Sequence, residues 1–364
     1  MTSSTPETAG PTEPSVLTKR LADWLREQLP DRHDLTVSEP RPAAQGMSTD
    51  TRHFTVTWAE DGERRAERFV LRRPPAEPLF PDYDLARQFH LMRALENTPL
   101  PVPRARWLEP DPGVVGSPFY VMDEIPGCVT ASDFPTYHVH GTYFEATPEG
   151  RETMWRRCVE TIAEVHALDW RQLGLSALAR PEYGDDPLEQ QVNYLDHCLR
   201  WALAQEAEAP QPVLEEAVAW LRAHRYVPEH VTLCWGDSRM SNILYSPDGF
   251  DVRGVLDWEI AFLGDHESDL AWMLFLEWMN TTAGGIAPAD GTPSREETVR
   301  HYEELTNLPV RNLRYNEVLA ALLLAIPLLG ITRRMRAEGQ LPAEADPVAH
   351  CCQRINELIR PDHA

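Results

Sequence analysis

Three polar side chains between residues 233 and 259 have the types and the order that phosphoryl transfer requires. Asp237 precedes Asn242 by five residues, and Asp257 follows Asn242 by fifteen. A carboxylate at the first position can accept or orient the proton of an attacking hydroxyl group, and the oxygen atoms at the other two positions are suitable ligands for Mg²⁺. The spacing therefore predicts Asp237 as the catalytic base and Asn242 and Asp257 as metal ligands.

Short apolar segments rich in β-branched residues flank these three side chains, at residues 231–234, 243–245 and 252–256. We expect them to form short strands, which would place Asp237 and Asn242 on a loop and Asp257 at the end of a strand. An isolated aspartate or asparagine of this kind is often only a turn residue or a helix cap. The joint spacing of the three favours the catalytic interpretation.

The segments Trp-Gly-Asp-Ser-Arg (235–239) and Val-Leu-Asp-Trp-Glu (255–259) resemble the motif of the aminoglycoside phosphotransferase family, a group of kinase-like enzymes that act on small molecules. Within that family they resemble the branch that contains the kinase-like domains of acyl-CoA dehydrogenase fusions and mycobacterial phosphotransferases. The family usually has histidine at the position of Trp235, and tryptophan is common in this branch. The resemblance extends from about residue 35 to the C-terminus. It implies Mg²⁺-dependent transfer of the γ-phosphoryl group of ATP or GTP to a hydroxyl group of a small molecule.

The same resemblance implies the residues that contact the phosphates. Gly46 and Ser48 lie on the loop between two expected strands, where backbone N–H groups and a hydroxyl could cover the phosphates, although an ordinary hairpin turn has the same pattern. The nucleotide-binding lysine of the family is replaced by Arg72, with Arg73 as the alternative. The helical glutamate that normally pairs with this lysine aligns with Gln88.

The resemblance also implies a hinge at residues 125–127, where backbone groups near Asp123 and Ile125 contact adenine. Asp265 and Asp269 match the family pattern Gly-Asp-x-x-x-Asp-Leu-Ala. We expect Asp265 to brace the catalytic loop, and Ser268 or Asp269 to cap the helix that follows.

His166 lies on an expected helix that faces the protein core. We interpret it as a hydrogen-bonded core residue.

The hydrophobic periodicity predicts an α+β protein, and the resemblance implies a bilobal, protein-kinase-like fold. Residues 1–14 should form a disordered tail, residues 15–125 a small β-rich N-lobe with five strands, and residues 126–364 a larger, mostly helical C-lobe. In the N-lobe we expect helices at 16–29 and 83–96, and strands at 35–39, 52–58, 67–72, 104–108 and 119–125. In the C-lobe we expect helices at 151–168, 187–206, 211–224, 268–279, 294–305, 314–337 and 346–359.

The composition limits the choice of partners and compartment. A net charge of −23 argues against nucleic acid or an anionic membrane as a partner. The six cysteines have no zinc-site spacing, and the N-terminus has no secretory pattern, so we expect a cytoplasmic protein. The apolar run 318–331 is interrupted by Pro327 and is too short to span a bilayer, which predicts a buried helix. The oligomeric state stays open.

The acceptor is less well defined by the sequence. The regions 130–150, 190–205 and 270–285 should surround it and are aromatic, and the carboxylates Glu267, Asp269 and Glu277 are available for ammonium groups. The C-terminal tail lacks the acidic aromatic end of the family. We therefore expect a larger and less cationic alcohol, such as a hydroxyacyl thioester, a macrolide-like compound or another metabolite. The alternative is a pseudokinase-like protein that binds nucleotide or ligand without turnover, because the lysine and the glutamate are replaced.

Overall fold

The computed structural model describes residues 14–43, 49–132, 135–206, 211–342 and 345–360. The chain divides into two compact units. The first contains the described residues up to Pro78 together with 82–93 and 103–126, and the second contains 79–81, 94–102 and the described residues from Gly127 onwards. The first unit is built on an antiparallel sheet, and the second is mostly helical.

The first unit follows the predicted order of elements. The chain forms α1 (Pro14–Gln28), β1 (His33–Val37), β2 (Arg41–Pro42), β3 (Asp50–Glu60), β4 (Glu63–Arg73), α2 (Leu85–Leu95), β5 (Ala105–Glu109) and β6 (Phe119–Asp123). The strand order in the sheet is β1-β3-β4-β6-β5, and β2 pairs with β3. The expectation of five strands was therefore one strand short. The missing strand is only two residues long and ends in proline, so it carries almost no pattern of its own.

The core of the first unit forms because one face of β3 is apolar. Phe54, Val56 and Trp58 alternate along the strand and are buried, as expected for a period of two residues. The turn between β3 and β4 consists of Asp61 and Gly62, both at positive φ (51° and 77°). Positive φ at both positions is the geometry of a type I′ hairpin, which fixes the register of the two longest strands.

The second unit contains the remaining elements. In chain order these are α3 (Gly141–Glu145), α4 (Pro148–His166), α5 (Pro187–Leu203), α6 (Pro212–Ala223), β7 (Val231–Cys234), β8 (Ile243–Tyr245), β9 (Val252–Val255), β10 (Phe262–Asp265), α7 (Glu267–Asn280), α8 (Arg295–Thr306), α9 (Leu313–Ala337) and α10 (Val348–Ile359). Strand β7 pairs with β10, and β8 pairs with β9. Neither β10 nor α3 was predicted, because each is short and β10 contains glycine and aspartate, which are rare in strands.

Capping residues explain where several of these helices begin. Thr147 caps α4 and Asp186 caps α5, each by accepting a backbone N–H from the first turn. Ser294 and Glu297 form a reciprocal capping box at the start of α8. Helix α9 is long and apolar enough to cross a membrane by length and composition, and half of its most apolar stretch is buried within the protein.

Candidate active site

The hairpin β8–β9 brings two of the predicted site residues to the same end of a ladder. Ile243 pairs with Val255 at that end, and the N–H of Leu256 donates to the backbone oxygen of Asn242 at 2.8 Å. Asn242 thus ends the catalytic loop directly beside the point where Asp257 leaves the strand. Residues fifteen apart in sequence become neighbours because the hairpin folds back on itself.

Asp237 lies on the loop that follows β7, and its carboxylate is held from both sides. The indole N–H of Trp272 donates to Oδ1 at 2.9 Å, and Nδ2 of Asn242 donates to Oδ2 at 2.7 Å. The guanidinium of Arg239 forms an ion pair with Oδ2 at 3.0 Å. Asp237 and Asn242 are 9% and 8% exposed, so both side chains are fixed and still reach the surface of this unit.

The donor set around Asn242 and Asp257 suits a magnesium ion. Since Nδ2 of Asn242 points at Asp237, the side-chain oxygen of the amide faces the other way. Asp257 contributes a carboxylate from the adjacent strand end and adopts φ 61°, in the left-handed region. Oxygen ligands from one amide and one carboxylate match the few protein ligands that Mg²⁺ normally takes.

Trp235 connects the catalytic loop to the strand that precedes Asp257. Its side chain is completely buried, and its indole N–H donates to the backbone oxygen of Leu256 at 2.7 Å. Its ring also packs against that of Trp258, with centroids 5.9 Å apart. The residue that replaces the family histidine is therefore bonded to the residue directly before the predicted metal ligand.

The backbone of the catalytic loop is anchored by Asp269 on α7. This side chain is 1% exposed, and it accepts the N–H of Trp235 at 2.7 Å and that of Gly236 at 2.8 Å. It also bonds to Nε2 of His166 at 2.9 Å. Gly236 is required here because it has φ +91° and a Cβ would lie 2.5 Å from the backbone oxygen of Ile260. The interpretation of His166 as a hydrogen-bonded core residue is confirmed.

The roles expected for Asp265 and Asp269 were wrong in one respect each. Among the described residues, the Asp265 carboxylate contacts Tyr226, His266 and Asn316, and it is Asp269 that binds the backbone of the catalytic loop. Burial raises the pKa of Asp265, but the ion pair with His266 and the hydrogen bond from Tyr226 together outweigh it, so the pKa lies below its ordinary value.

The start of α7 also differs from the expectation. Its N-cap is His266, which makes no side-chain capping bond, whereas Ser268 donates to Asn316.

Two buried groups of side chains have metal-ligating atoms close together, but protein hydrogen bonds already use them. In the group His166, Cys234 and Asp269, both histidine nitrogens and both carboxylate oxygens are bonded within the protein. In the group around Glu267, this carboxylate accepts the N–H of Arg311 and of Asn312. These groups are structural anchors of α7, and burial is the main reason that the pKa of Glu267 is raised.

The residues predicted to bind nucleotide belong to the first unit. Gly46 and Ser48 lie outside the described residues. Arg72 is 8% exposed and donates to the hydroxyl of Thr49, directly after that loop, at 2.7 Å. Arg73 points to the other face of β4, where its Nε donates to Asp50 at 3.0 Å. Arg73 is thus committed to an ion pair, and Arg72 is the arginine that lies beside the end of the candidate phosphate loop.

The remaining nucleotide-side residues surround β6. The Tyr120 hydroxyl, on the strand position opposite Arg72, contacts the side-chain oxygen of Gln88 at 3.5 Å. The carboxylate of Asp123 accepts from Nε of Arg106 at 2.6 Å. Ile125 lies beyond the last paired position of the β4–β6 ladder.

Sequence reasoning missed two side chains that contact Asp237. Arg239 follows it by two residues, so its place within the motif was a usable signal. Trp272 lies thirty-five residues away on α7, and its sequence neighbours give no sign of this contact.

Comparison with known proteins relates both the fold and the motif to one family. The model of the phosphotransferase enzyme family matches residues 40–306. Acyl-CoA dehydrogenase family member 10 of Mus musculus is 27% identical over 305 residues, which cover 81% of this chain and 27% of that protein. This chain therefore spans only about a quarter of the length of that relative.

Solved structures share the fold, and two of them are given as examples. One is a candidate aminoglycoside phosphotransferase from Ralstonia eutropha jmp134, with a TM-score of 0.63, 22% identity, and coverage of 94% of this chain and 95% of that one. The other is the ethanolamine kinase of Plasmodium vivax, with a TM-score of 0.58, 12% identity, and coverage of 98% and 93%. The predicted fold class and the resemblance derived from the motif are confirmed. This chain belongs to the phosphotransferase enzyme family.

Proposed function

We propose that this protein is a small-molecule kinase that transfers the γ-phosphoryl group of ATP or GTP to a hydroxyl group in a Mg²⁺-dependent reaction. The observation that carries the proposal is the cluster of Asp237, Asn242 and Asp257 at one end of the β8–β9 hairpin. Asp237 orients the acceptor hydroxyl and accepts its proton. Asn242 and Asp257 would hold the metal ion, which neutralises charge on the phosphates when bound.

On the nucleotide side, Arg72 contributes a positive charge beside Thr49, the residue that follows Gly46 and Ser48 in the chain. A planar guanidinium offers two parallel donors to phosphate oxygens, so arginine can take over the charge of the missing lysine, although with a different reach. Because the carboxylate of Asp123 is paired with Arg106, we assign the adenine contact to backbone groups around Ile125.

The carboxylates support an acceptor with at most one positive charge. Of the three that the sequence offered, Glu267 and Asp269 are buried and bonded within the protein, and only Glu277 keeps a partly exposed side chain. Its Oε2 accepts from Tyr137 at 2.5 Å and from Nε2 of His138 at 3.0 Å. A compound with several ammonium groups would need more carboxylates than this, which favours the less cationic alcohol expected from the sequence.

The partners and the compartment follow from the same proposal. The protein would bind a nucleoside triphosphate and a hydroxylated small molecule in the cytoplasm, and the net charge of −23 disfavours nucleic acid and anionic membranes as partners. This chain is similar to one part of a longer acyl-CoA dehydrogenase family member. Acyl-CoA dehydrogenases act on acyl thioesters, so hydroxyacyl thioesters are one class of acceptor to test.

The test is nucleotide consumption by the purified protein with Mg-ATP and Mg-GTP over a panel of hydroxylated compounds, including aminoglycosides, macrolides and hydroxyacyl thioesters. Asp257→Ala should abolish turnover. Asp248→Ala, an exposed aspartate in the turn of the same hairpin, should leave it unchanged. Turnover with one acceptor that is lost only in the first variant supports the kinase.

The rival is a binding protein without turnover, because a phosphate-binding lysine and its partner glutamate are absent. It predicts a nucleotide-dependent rise in melting temperature that requires Asp257, with no phosphorylated product from any acceptor. If the wild-type protein bound neither Mg-ATP nor Mg-GTP, both functions would be contradicted.

A further inference from the structure

We infer that Trp272 on α7 is a positioning residue for Asp237, and this inference rests on the proposed function. The indole N–H lies 2.9 Å from Oδ1 of Asp237, and the Trp272 side chain is 5% exposed. A buried indole N–H needs a hydrogen-bond partner, and any backbone oxygen could serve. Here the partner is the carboxylate assigned to the chemistry.

The bond holds a different carboxylate oxygen from the one held by Asn242 and in the Arg239 ion pair. The torsion about the Cβ–Cγ bond of an aspartate has a broad minimum, so the carboxylate plane turns easily unless both of its oxygens are held. Asn242 and Arg239 both act on Oδ2. Trp272 acts on Oδ1, and together the donors fix the plane in which the proton of the acceptor must be received.

Helix α7 supplies this contact from the element that also anchors the loop. Asp269 lies three residues before Trp272, so the two side chains share a face of the helix. Asp269 holds the backbone N–H groups of Trp235 and Gly236, while Trp272 holds the side chain of Asp237. A single buried helix therefore sets both the position of the loop and the orientation of its base.

The first arm of the test is kinetic. Trp272→Phe keeps an aromatic ring in the core and removes the N–H donor together with part of the indole volume, a loss of volume that Trp220→Phe shares. The loss of a hydrogen bond to a charged group should lower kcat by roughly tenfold or more. The KM for Mg-nucleotide should stay within about twofold, because Asn242 and Asp257 are untouched. Trp220→Phe is the matched control, since Trp220 packs against the same hydrophobic core from α6. An unchanged kcat in Trp272→Phe, or an equal loss in Trp220→Phe, would overturn the inference.

The second arm does not require turnover, so it separates this inference from the proposed function. In protein labelled with ¹⁵N-tryptophan, Trp272→Phe identifies the indole N–H signal of Trp272, and Trp220→Phe identifies that of Trp220. Replacing Asp237 by asparagine removes the charged acceptor, so the Trp272 proton signal should move upfield while the Trp220 signal stays in place. A Trp272 signal that does not respond to Asp237→Asn would show that the hydrogen bond is absent in solution. If no acceptor is ever found, the shift alone decides whether the bond exists.

Discussion

The backbone conformation of Asp257 predicts that glycine at this position gives a more stable protein than alanine, which is the reverse of the usual order of stability. Asp257 adopts φ 61°, a conformation that costs a residue with a Cβ about 1–2 kcal/mol relative to a right-handed one. Asp257→Gly and Asp257→Ala both remove the carboxylate and all of its contacts, so their difference in stability reports on the backbone alone. Glycine removes the strain but loses about 0.4–1 kcal/mol through the larger entropy of its unfolded chain. We expect the glycine variant to be the more stable by about 0.5–1 kcal/mol.

Urea unfolding of both variants is monitored by tryptophan fluorescence. Their free energies of unfolding are compared after both curves are fitted with the same m-value. Asp248, in the turn of the same hairpin, serves as the control position because it is not among the described residues with positive φ. There we expect the ordinary order, in which Asp248→Ala is the more stable variant by about 0.5–1 kcal/mol.

Binding of Mg-nucleotide, measured by calorimetry, should be lost in both Asp257 variants and kept in both Asp248 variants. If Asp257→Ala were as stable as Asp257→Gly or more so, the argument from backbone strain would be refuted. If both Asp257 variants still bound nucleotide in a Mg²⁺-dependent way, the assignment of Asp257 as a metal ligand would be refuted, whatever their stabilities.

Three further predictions concern the anchors around α7 and the acceptor. Asp269→Asn replaces one carboxylate oxygen by an NH₂ group, which faces one of the two backbone N–H groups that Asp269 binds. It should lower the free energy of unfolding in urea by about 1–3 kcal/mol and also lower kcat. An unchanged unfolding midpoint would contradict the role of Asp269 as an anchor of the loop. Burial raises the pKa of Asp265 and lowers that of His266. The ion pair between them and the other neighbouring groups, Tyr226 for Asp265 and Glu267 for His266, together outweigh burial, so the pKa of Asp265 lies below its ordinary value and that of His266 above its ordinary value. Stability should therefore be lost as the pH falls through the pKa of Asp265 and as it rises through the pKa of His266. Urea unfolding midpoints should be highest between about pH 4 and 6.5, and Asp265→Asn should flatten this pH profile. Glu277→Gln should raise the KM of an amine-bearing acceptor by about tenfold or more and leave that of a neutral alcohol unchanged, and an equal effect on both acceptors would mean that the charge is not used.

The local order of the chain determined most of what the sequence could predict. Asp237, Asn242 and Asp257 lie within one loop and one hairpin, so their spacing and the flanking apolar segments define their relative positions without reference to distant parts of the chain. The long helices and strands were predictable for the same reason, since their periodicity is a property of neighbouring residues. The short elements β2, β10 and α3 were not, because two to five residues contain too little periodicity to detect.

The contacts that hold the site are a property of the tertiary structure. In the sequence, Asp265 and Asp269 are two acids of one motif and cannot be told apart. In the structure, α7 packs against the catalytic loop so that Asp269 accepts the backbone N–H groups of that loop. The sequence offered Glu267, Asp269 and Glu277 as three carboxylates for an acceptor, and burial left one of them partly exposed.

The same distinction applies to Trp272, which reaches Asp237 across thirty-five residues of chain. The sequence by itself predicted which groups would perform the proposed chemistry, because these groups are related by short-range spacing. The tertiary structure decided which groups orient and anchor them, because hydrogen bonds between distant elements depend on packing and have no counterpart in local pattern.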